Sequence, residues 1–388
     1  MDLRYTDEQI VFRDEVRTWL EANIPKTPLP SFDTAEGFEA HRDWERTLAQ
    51  GNWGMVTWPE AFGGRGCDLL EWLIFEEEYY RAGAPLRVNQ NGIFLLGPTL
   101  MEYGTEAQKA RFIPAMAKGD EIWAQGWSEP NAGSDMAAIR CRAERDGDDF
   151  IISGQKIWST RAVYADWVFG LFRTDPTSER HHGLSKILVP LNADGITVRP
   201  IPQLNGLPGF AEIFFDEVRV PAFNLLGGEG EGWRIAMATA GFERGLMLRS
   251  PARFQQAAKR LVELYRSRSN EVLDPSIEDA VLRCYMDAEA YALSTYQTAS
   301  LLCGGGSIGP EASCNKIFWS ELDLLIHETA MKLLGARGEI EPQTAQEFGD
   351  LGTWLDGFMF AQSGPIYAGT NEIQRNIIAE RMLGMPRK

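Results

Sequence analysis

The chain has 388 residues, 44% hydrophobic and 24% charged, the composition of a folded protein of about two to three domains with a substantial core. Its 38 basic and 55 acidic residues leave a net charge of −17, so general nucleic-acid binding, which needs clustered Lys and Arg, is not expected. No apolar run reaches the ~18 residues of a membrane span, so stable membrane insertion is not expected.

Helical patterns open the chain. Thr6 and Gln9 form a capping-box pair ahead of Ile10, Val11, Val16 and Leu20, and a Gly/Trp/Pro-rich loop follows from Gly51 to Gly66. Further helical periodicity covers 69–84 and 92–117. Near 121 the period changes: short Val-, Ile-, Phe- and Trp-rich runs around 138–144, 149–158, 165–173, 184–189, 196–201 and 210–218 predict a compact antiparallel β-domain. Helices resume over 233–267, 276–303, 311–336, 340–362 and 371–383. Helices, strands and helices in separate blocks imply an α+β fold rather than alternating βαβ units.

The N-terminus has no basic stretch followed by an apolar core, so no secretory signal is expected. The cysteines (Cys67, Cys141, Cys284, Cys303 and Cys314) are scattered and odd in number, which suits a reducing cytoplasm rather than a disulfide framework. With His41, His181, His182 and His327 as the only histidines, no metal site is expected. His181-His182 sits in a polar hairpin loop, and His327 lies on an amphipathic helix as a structural residue.

Two motifs fail on context. Gly305-Gly306-Ser307-Ile308-Gly309 matches the nucleophile-elbow pattern, and Gly304 to Gly309 matches a dinucleotide fingerprint. The first needs a preceding strand and the second a βαβ unit, whereas Ala292 to Cys303 reads as helix. A helix-to-helix loop explains both.

Three segments carry more. Trp123-Ala124-Gln125-Gly126-Trp127-Ser128-Glu129-Pro130-Asn131-Ala132-Gly133-Ser134-Asp135 is a loop that can present N–H groups and hydroxyls to a ligand. Gly154-Gln155-Lys156-Ile157-Trp158-Ser159-Thr160 ends a strand with a ring for stacking and a hydroxyl two residues on. In Ile366-Tyr367-Ala368-Gly369-Thr370-Asn371-Glu372 a turn enters a helix, with Thr370 as N-cap. Together they suggest a planar aromatic cofactor held between a β-domain and a helical bundle.

With these segments, the sequence resembles the acyl-CoA dehydrogenase family across essentially its whole length. Tyr103-Gly104-Thr105-Glu106-Ala107-Gln108-Lys109 belongs to the likeness, as do Phe214-Phe215-Asp216-Glu217-Val218-Arg219-Val220-Pro221 before Gly232-Trp233 and the tail Gln374-Arg375-Asn376-Ile377-Ile378-Ala379-Glu380-Arg381. The resemblance implies an N-terminal helical domain (1–120), a middle antiparallel β-barrel (121–232) and a C-terminal four-helix bundle (233–388). It also implies non-covalent FAD, an acyl-CoA substrate, electron-transfer flavoprotein as electron acceptor, and a homotetramer or homodimer. By the same resemblance Gln125, Trp127 and Ser128 lie along the isoalloxazine, Ser134 sits beside substrate and cofactor, Trp158 flanks the ring and Thr160 bonds near the hydride-accepting nitrogen. Thr370, Glu372, Lys332 and Gly335 are assigned to the rest of FAD, and Arg244, Tyr367, Ala368 and Gly369 to the substrate.

The base departs from the commonest family pattern. Many members place the catalytic glutamate between the Tyr and Gly of the last motif, where this chain has Ala368. A minority place it on a C-terminal-domain helix just before an arginine, and Gly241-Phe242-Glu243-Arg244 stands there. Glu243 is therefore the expected base, its pKa raised by apolar surroundings. The space opened beside residue 368 favours a branched or bulky acyl group, oxidised in a step of fatty-acid or other lipid breakdown such as β-oxidation.

Two more departures bear on assembly. The short Arg-aromatic-Gly motif of the family is replaced by Tyr265-Arg266-Ser267-Arg268-Ser269-Asn270-Glu271. Its glutamine and paired glycines are replaced by Lys332-Leu333-Leu334-Gly335-Ala336-Arg337-Gly338, where Lys332 or Arg337 supplies charge for a pyrophosphate. A hetero-oligomer in which this chain contributes part of a site remains an alternative. Others are a carrier-protein-bound substrate, a flavin oxidase or monooxygenase, and a non-catalytic partner subunit.

Overall fold

The computed structural model describes residues 4–244, 249–268, 274–340 and 351–387, with the side chains of 242–244 and 351–352 outside that description. Two compact units are each assembled from separated stretches. Met1–Ala22, Asp68–Ala84 and Arg244–Lys388 form a helical unit, and Asn23–Cys67 with Pro85–Glu243 form a unit of sheet and helices.

In the helical unit, α1 (Asp7–Asn23) opens on the expected capping box: the Gln9 N–H donates to Thr6 Oγ1 at 3.2 Å and the Thr6 N–H to Gln9 Oε1 at 3.1 Å. Phe12, Val16 and Leu20, four residues apart, form its buried stripe. In the sheet-bearing unit, α2 (Ala35–Gln50) precedes the Gly-rich loop. Helix α3 (Leu69–Arg81) returns to the helical unit, packing against two later helices, α7 (Pro251–Ser267) and α8 (Pro275–Cys303). Phe254, Leu261, Tyr291, Trp319, Ile326 and Trp354 form its core with α9 (Ala312–Leu334) and α10 (Leu351–Ala361). The last helix, α11 (Asn371–Ile377), continues into a π-turn over Ile378–Met382. The Gly304–Gly309 motif lies in the loop joining α8 to α9, so neither motif has the strand its chemistry needs.

The other unit carries α4 (Gly97–Tyr103), α5 (Glu106–Ala117), α6 (Gly232–Arg244) and an eight-stranded sheet. Its strands are β1 (Trp123–Gly126), β2 (Arg142–Asp146), β3 (Asp149–Thr160), β4 (Trp167–Arg173), β5 (Leu184–Pro190), β6 (Ile196–Ile201), β7 (Phe210–Pro221) and β8 (Leu225–Leu226). They run in the order β6-β7-β3-β2-β4-β5-β8, with β1 beside β4. Phe150, Ile152, Val168, Phe172, Ile187, Val189, Ile213 and Phe215 form its core.

Several expected boundaries shift for identifiable reasons. The pairing is mostly antiparallel, but β1 and β2 both join β4 in parallel. The strand expected over 138–144 starts only at Arg142, because the Arg140 and Cys141 N–H groups donate to the Glu129 carboxylate at 2.7 and 2.9 Å instead of to a neighbouring strand. The helix expected over 92–117 breaks at Gly104, where Thr105 and Gln108 form a capping box of their own. Of the 233–267 segment, Gly232–Arg244 and Pro251–Ser267 are helical and residues 245–248 lie outside the described residues; the later helix begins on Pro251, a residue suited to the first turn. Of the stretch expected over 340–362, residues 341–350 lie outside the described residues.

Candidate active site

In the sheet-bearing unit two of the three segments meet. The Ile157 N–H donates to the Ser128 carbonyl at 2.9 Å, tying the loop after β1 to the end of β3. Gly126 closes β1 because a Cβ there would come within 2.7 Å of Val168 Cγ2. The pairing of β3 with β7 slips between Lys156 and Ser159, and in this bulge Trp158 takes φ +60°, a left-handed conformation that bulky residues rarely adopt. The bulge turns the indole outward, 57% exposed, with the Phe210 ring nearly perpendicular to it at 6.1 Å. Among the described residues, Trp127 Nε1 and Ser159 Oγ are buried without a hydrogen-bond partner.

A buried ion pair holds this loop. Lys156 Nζ lies 2.8 Å from Glu129 Oε1 and also donates to the carbonyls of Leu171 at 2.6 Å and Trp127 at 3.3 Å. All three ammonium hydrogens are used. Glu129 in turn takes the Arg140 and Cys141 N–H groups, so one carboxylate fixes both ends of the loop.

In the helical unit the third segment is one tight turn. Thr370 caps α11, accepting the Ile373 N–H at 3.2 Å. The buried Asn371 side chain is held by Lys316 Nζ at 2.8 Å and Ser320 Oγ at 3.2 Å, both on α9. Ala368 adopts φ +57°, the left-handed region again, and Gln374 Nε2 donates to the Ala368 and Gly369 carbonyls at 3.0 and 3.3 Å. The Ile366 and Tyr367 N–H groups both bond the Ser363 carbonyl, whereas no acceptor among the described residues takes the Ala368 N–H. The Tyr367 ring stacks on Trp319 at 5.9 Å, and its hydroxyl is buried without a partner. Glu372 is exposed, and its own N–H and the Thr370 hydroxyl hold its carboxyl below the usual range.

The remaining site residues lie as follows. Gln125 is half-buried in β1, and Ser134 is exposed in the loop after it. Lys332 and Gly335 end α9, twelve or more residues beyond Ser320 and so ~18 Å or more along the axis; within one chain they do not join the Thr370 turn. Glu243 and Arg244 lie in α6, with side chains outside the described residues. Ser269, Asn270 and Glu271 also lie outside them. His181-His182 is exposed in the β4–β5 loop, and His327 Nδ1 sits 2.8 Å from the Asp323 carbonyl.

Glu129 and Lys156 lie within the sequence motifs but carry no role in the family resemblance, and Lys186, wholly buried in β5, lies outside those motifs. A lysine inside the apolar run Leu184-Ser185-Lys186-Ile187-Leu188-Val189 is the signal that marks it, because such a strand buries both faces.

Comparison with known proteins accounts for the chain end to end. Family models match in order: the acyl-CoA dehydrogenase N-terminal domain over 6–120, the middle domain over 124–218 and the C-terminal domain over 230–383. The chain is 40% identical to acyl-CoA dehydrogenase IpdE1 of Mycobacterium tuberculosis over 387 residues, covering 97% of this chain and 98% of that one. Among solved structures it resembles the Tcur3481-Tcur3483 steroid ACAD, with TM-score 0.86 and 28% identity over 100% of both chains. It also resembles a chain of the ChsE4-ChsE5 complex of Mycobacterium tuberculosis, with TM-score 0.83 and 30% identity over 100% of both. The chain belongs to the acyl-CoA dehydrogenase family of FAD-dependent oxidoreductases.

Proposed function

We propose that this protein oxidises an acyl-CoA thioester to the trans-2-enoyl-CoA, with Glu243 as the base that takes the α-proton, and passes the electrons to an electron-transfer flavoprotein. FAD, when bound, supplies the hydride acceptor. The residues present fit a flavin: the outward Trp158 indole offers a stacking face, and the unpartnered Trp127 N–H and Ser159 hydroxyl belong to the two segments that the Ile157–Ser128 hydrogen bond joins.

The observation that carries the reading is the Ala368 turn. Residue 368 has no carboxylate, yet its backbone is held left-handed by Gln374 with its N–H unclaimed among the described residues. Such an N–H is suited to donate to the thioester oxygen as charge develops there. With that position given to binding, the proton goes to another acid, and Glu243 lies in α6 directly before Arg244. Likeness to a steroid ACAD and the small residue at 368 both favour a bulky, ring-bearing acyl group.

Anaerobic titration with a panel of acyl-CoA thioesters tests this. The wild-type flavin bleaches, most readily with ring-bearing acyl groups. Glu243→Gln keeps FAD but bleaches about 10²–10⁴-fold more slowly. Wild-type speed in that variant removes Glu243 from the reaction, and rapid reoxidation by air points to an oxidase instead.

We also propose assembly with a second acyl-CoA dehydrogenase chain, favoured by the replaced motif at 265–271 and by relatives described as complexes. The native mass and flavin content of the protein, alone and co-expressed with a neighbouring homologue, decide it.

A further inference from the structure

Ser159 and Thr160 close β3 between two left-handed residues, Trp158 at φ +60° and Arg161 at φ +50°. The left-handed region crowds a Cβ against the backbone, so glycine suits both positions better. Two such residues three positions apart fix the chain direction on either side of Ser159 and Thr160. Strain of this kind persists only where the surrounding contacts over-determine it.

The contacts that hold Arg161 reach far along the chain. Its N–H donates to the Gly209 carbonyl at 3.0 Å, extending the pairing of Thr160 with Phe210. Its carbonyl takes the Tyr164 and Ala165 N–H groups at 3.0 and 3.2 Å, which makes the corner after the strand. Its guanidinium lies over the Phe32 ring, 3.7 Å from the centroid, and its Nε donates to Asp33 Oδ1 at 2.8 Å. Asp33 is buried and 128 positions away in sequence. Its Oδ2 accepts Gln203 Nε2 at 2.9 Å, and its carbonyl accepts the Tyr164 hydroxyl at 3.1 Å. Gln203 packs so closely on Gly209 that a Cβ there would overlap its amide. The segment before α2, the β6–β7 loop and the corner after β3 thus form one closed ring of contacts within the sheet-bearing unit.

A turn alone does not call for this ring. Glycine at 161 would make the corner without strain, and without a largely buried cation that needs an anion beside it. What the arginine adds is a rigid link from Asp33 to the end of β3. That end carries groups with bonding capacity to offer: the Ser159 hydroxyl is buried without a partner among the described residues, and the Trp158 indole is largely exposed.

Resting on the flavin reading above, we propose that Arg161, fixed by Asp33, is a positioning residue: it sets the aim of Thr160 at the hydride-accepting edge of the flavin and acts through that threonine rather than by contact.

A double-mutant cycle on the holoenzyme tests this by two measurements. One is the midpoint potential of the bound flavin by dye equilibration, and the other is the rate at which an acyl-CoA thioester bleaches it. Thr160→Val removes the hydroxyl, shifts the potential and slows bleaching about tenfold or more. Arg161→Gly, which also relieves the backbone, moves both readings in the same direction. In the Thr160→Val background, Arg161→Gly changes the rate less than about twofold, because the group it aims is already gone. Asp33→Asn, nearly unchanged in shape, moves both readings as Arg161→Gly does, by a smaller amount, and decides the question if Arg161→Gly folds poorly. Wild-type readings in whichever of these variants folds, or equal slowing with Thr160 present and absent, overturn the proposal. If no thioester bleaches the wild-type flavin, the dehydrogenase reading fails alone, because the potentials of the same variants are read without substrate and still decide the role of Arg161.

Discussion

Lys156 and Glu129, 27 positions apart in sequence, form a buried ion pair at 2.8 Å under the loop that carries Trp127 and Ser128. The lysine crosses from β3, and the carboxylate gathers two backbone N–H groups from the far side of the loop. The pair sets the path of the loop.

Breaking this pair from one side leaves a charge buried alone. Lys156→Met is expected to cost about 3–5 kcal/mol in urea unfolding and to release FAD. Adding Glu129→Gln to that variant recovers part of the stability, because the uncompensated carboxylate is gone.

The left-handed backbone at Trp158 reverses a usual ranking. Within strands glycine is ordinarily less stable than alanine. At φ +60° a Cβ is penalised, so Trp158→Gly is expected to exceed Trp158→Ala by about 1 kcal/mol in thermal or urea unfolding. Both variants lose the stacking face, and both hold FAD more weakly than wild type.

Lys186 gives stability a pH dependence of known sign. The unfolded side chain titrates near 10.4 and the folded one near 7, so between these values the unfolded chain binds one more proton and stability rises with pH. The penalty is complete below pH 7 and fades as the pH climbs toward 10. Lys186→Met is therefore expected to be more stable than wild type at pH 7, with the gap narrowing as the pH rises and the slope approaching about 1.4 kcal/mol per pH unit near pH 8.5. Urea melts of the two proteins across that range check it, and a gap that widens contradicts it.

Gln374 holds the Ala368 turn without belonging to it. Gln374→Leu removes the donor to two carbonyls. Thioester oxidation is expected to slow about tenfold or more as the Ala368 N–H loses its aim, while flavin absorbance stays. Hydrogen exchange should rise at residues 366–369 and not along α9.

The segments of the site were legible where the signal is local. The Thr6–Gln9 box, the Thr370 cap and the helix-to-helix loop at 304–309 depend on residues a few positions apart, and each stands as read. The strand boundary at 138–144 was not legible, because Glu129, eleven and twelve residues away, takes the N–H groups a strand would have used. The bulge at Trp158 was hidden likewise, since it exists only in the pairing of β3 with β7, more than fifty residues on.

By itself the sequence determined the family, the blocks of helix and strand, and the absence of a carboxylate at position 368, since these reside in residue identity and short-range order. Tertiary structure alone decided that Trp158 turns outward from a left-handed bulge, that Lys156 finds a carboxylate, and that Lys186 among the described residues meets only a threonine hydroxyl. Burial and charge pairing arise between segments that meet only on folding, and a lysine in a strand reads the same in sequence whether or not an acid waits opposite it.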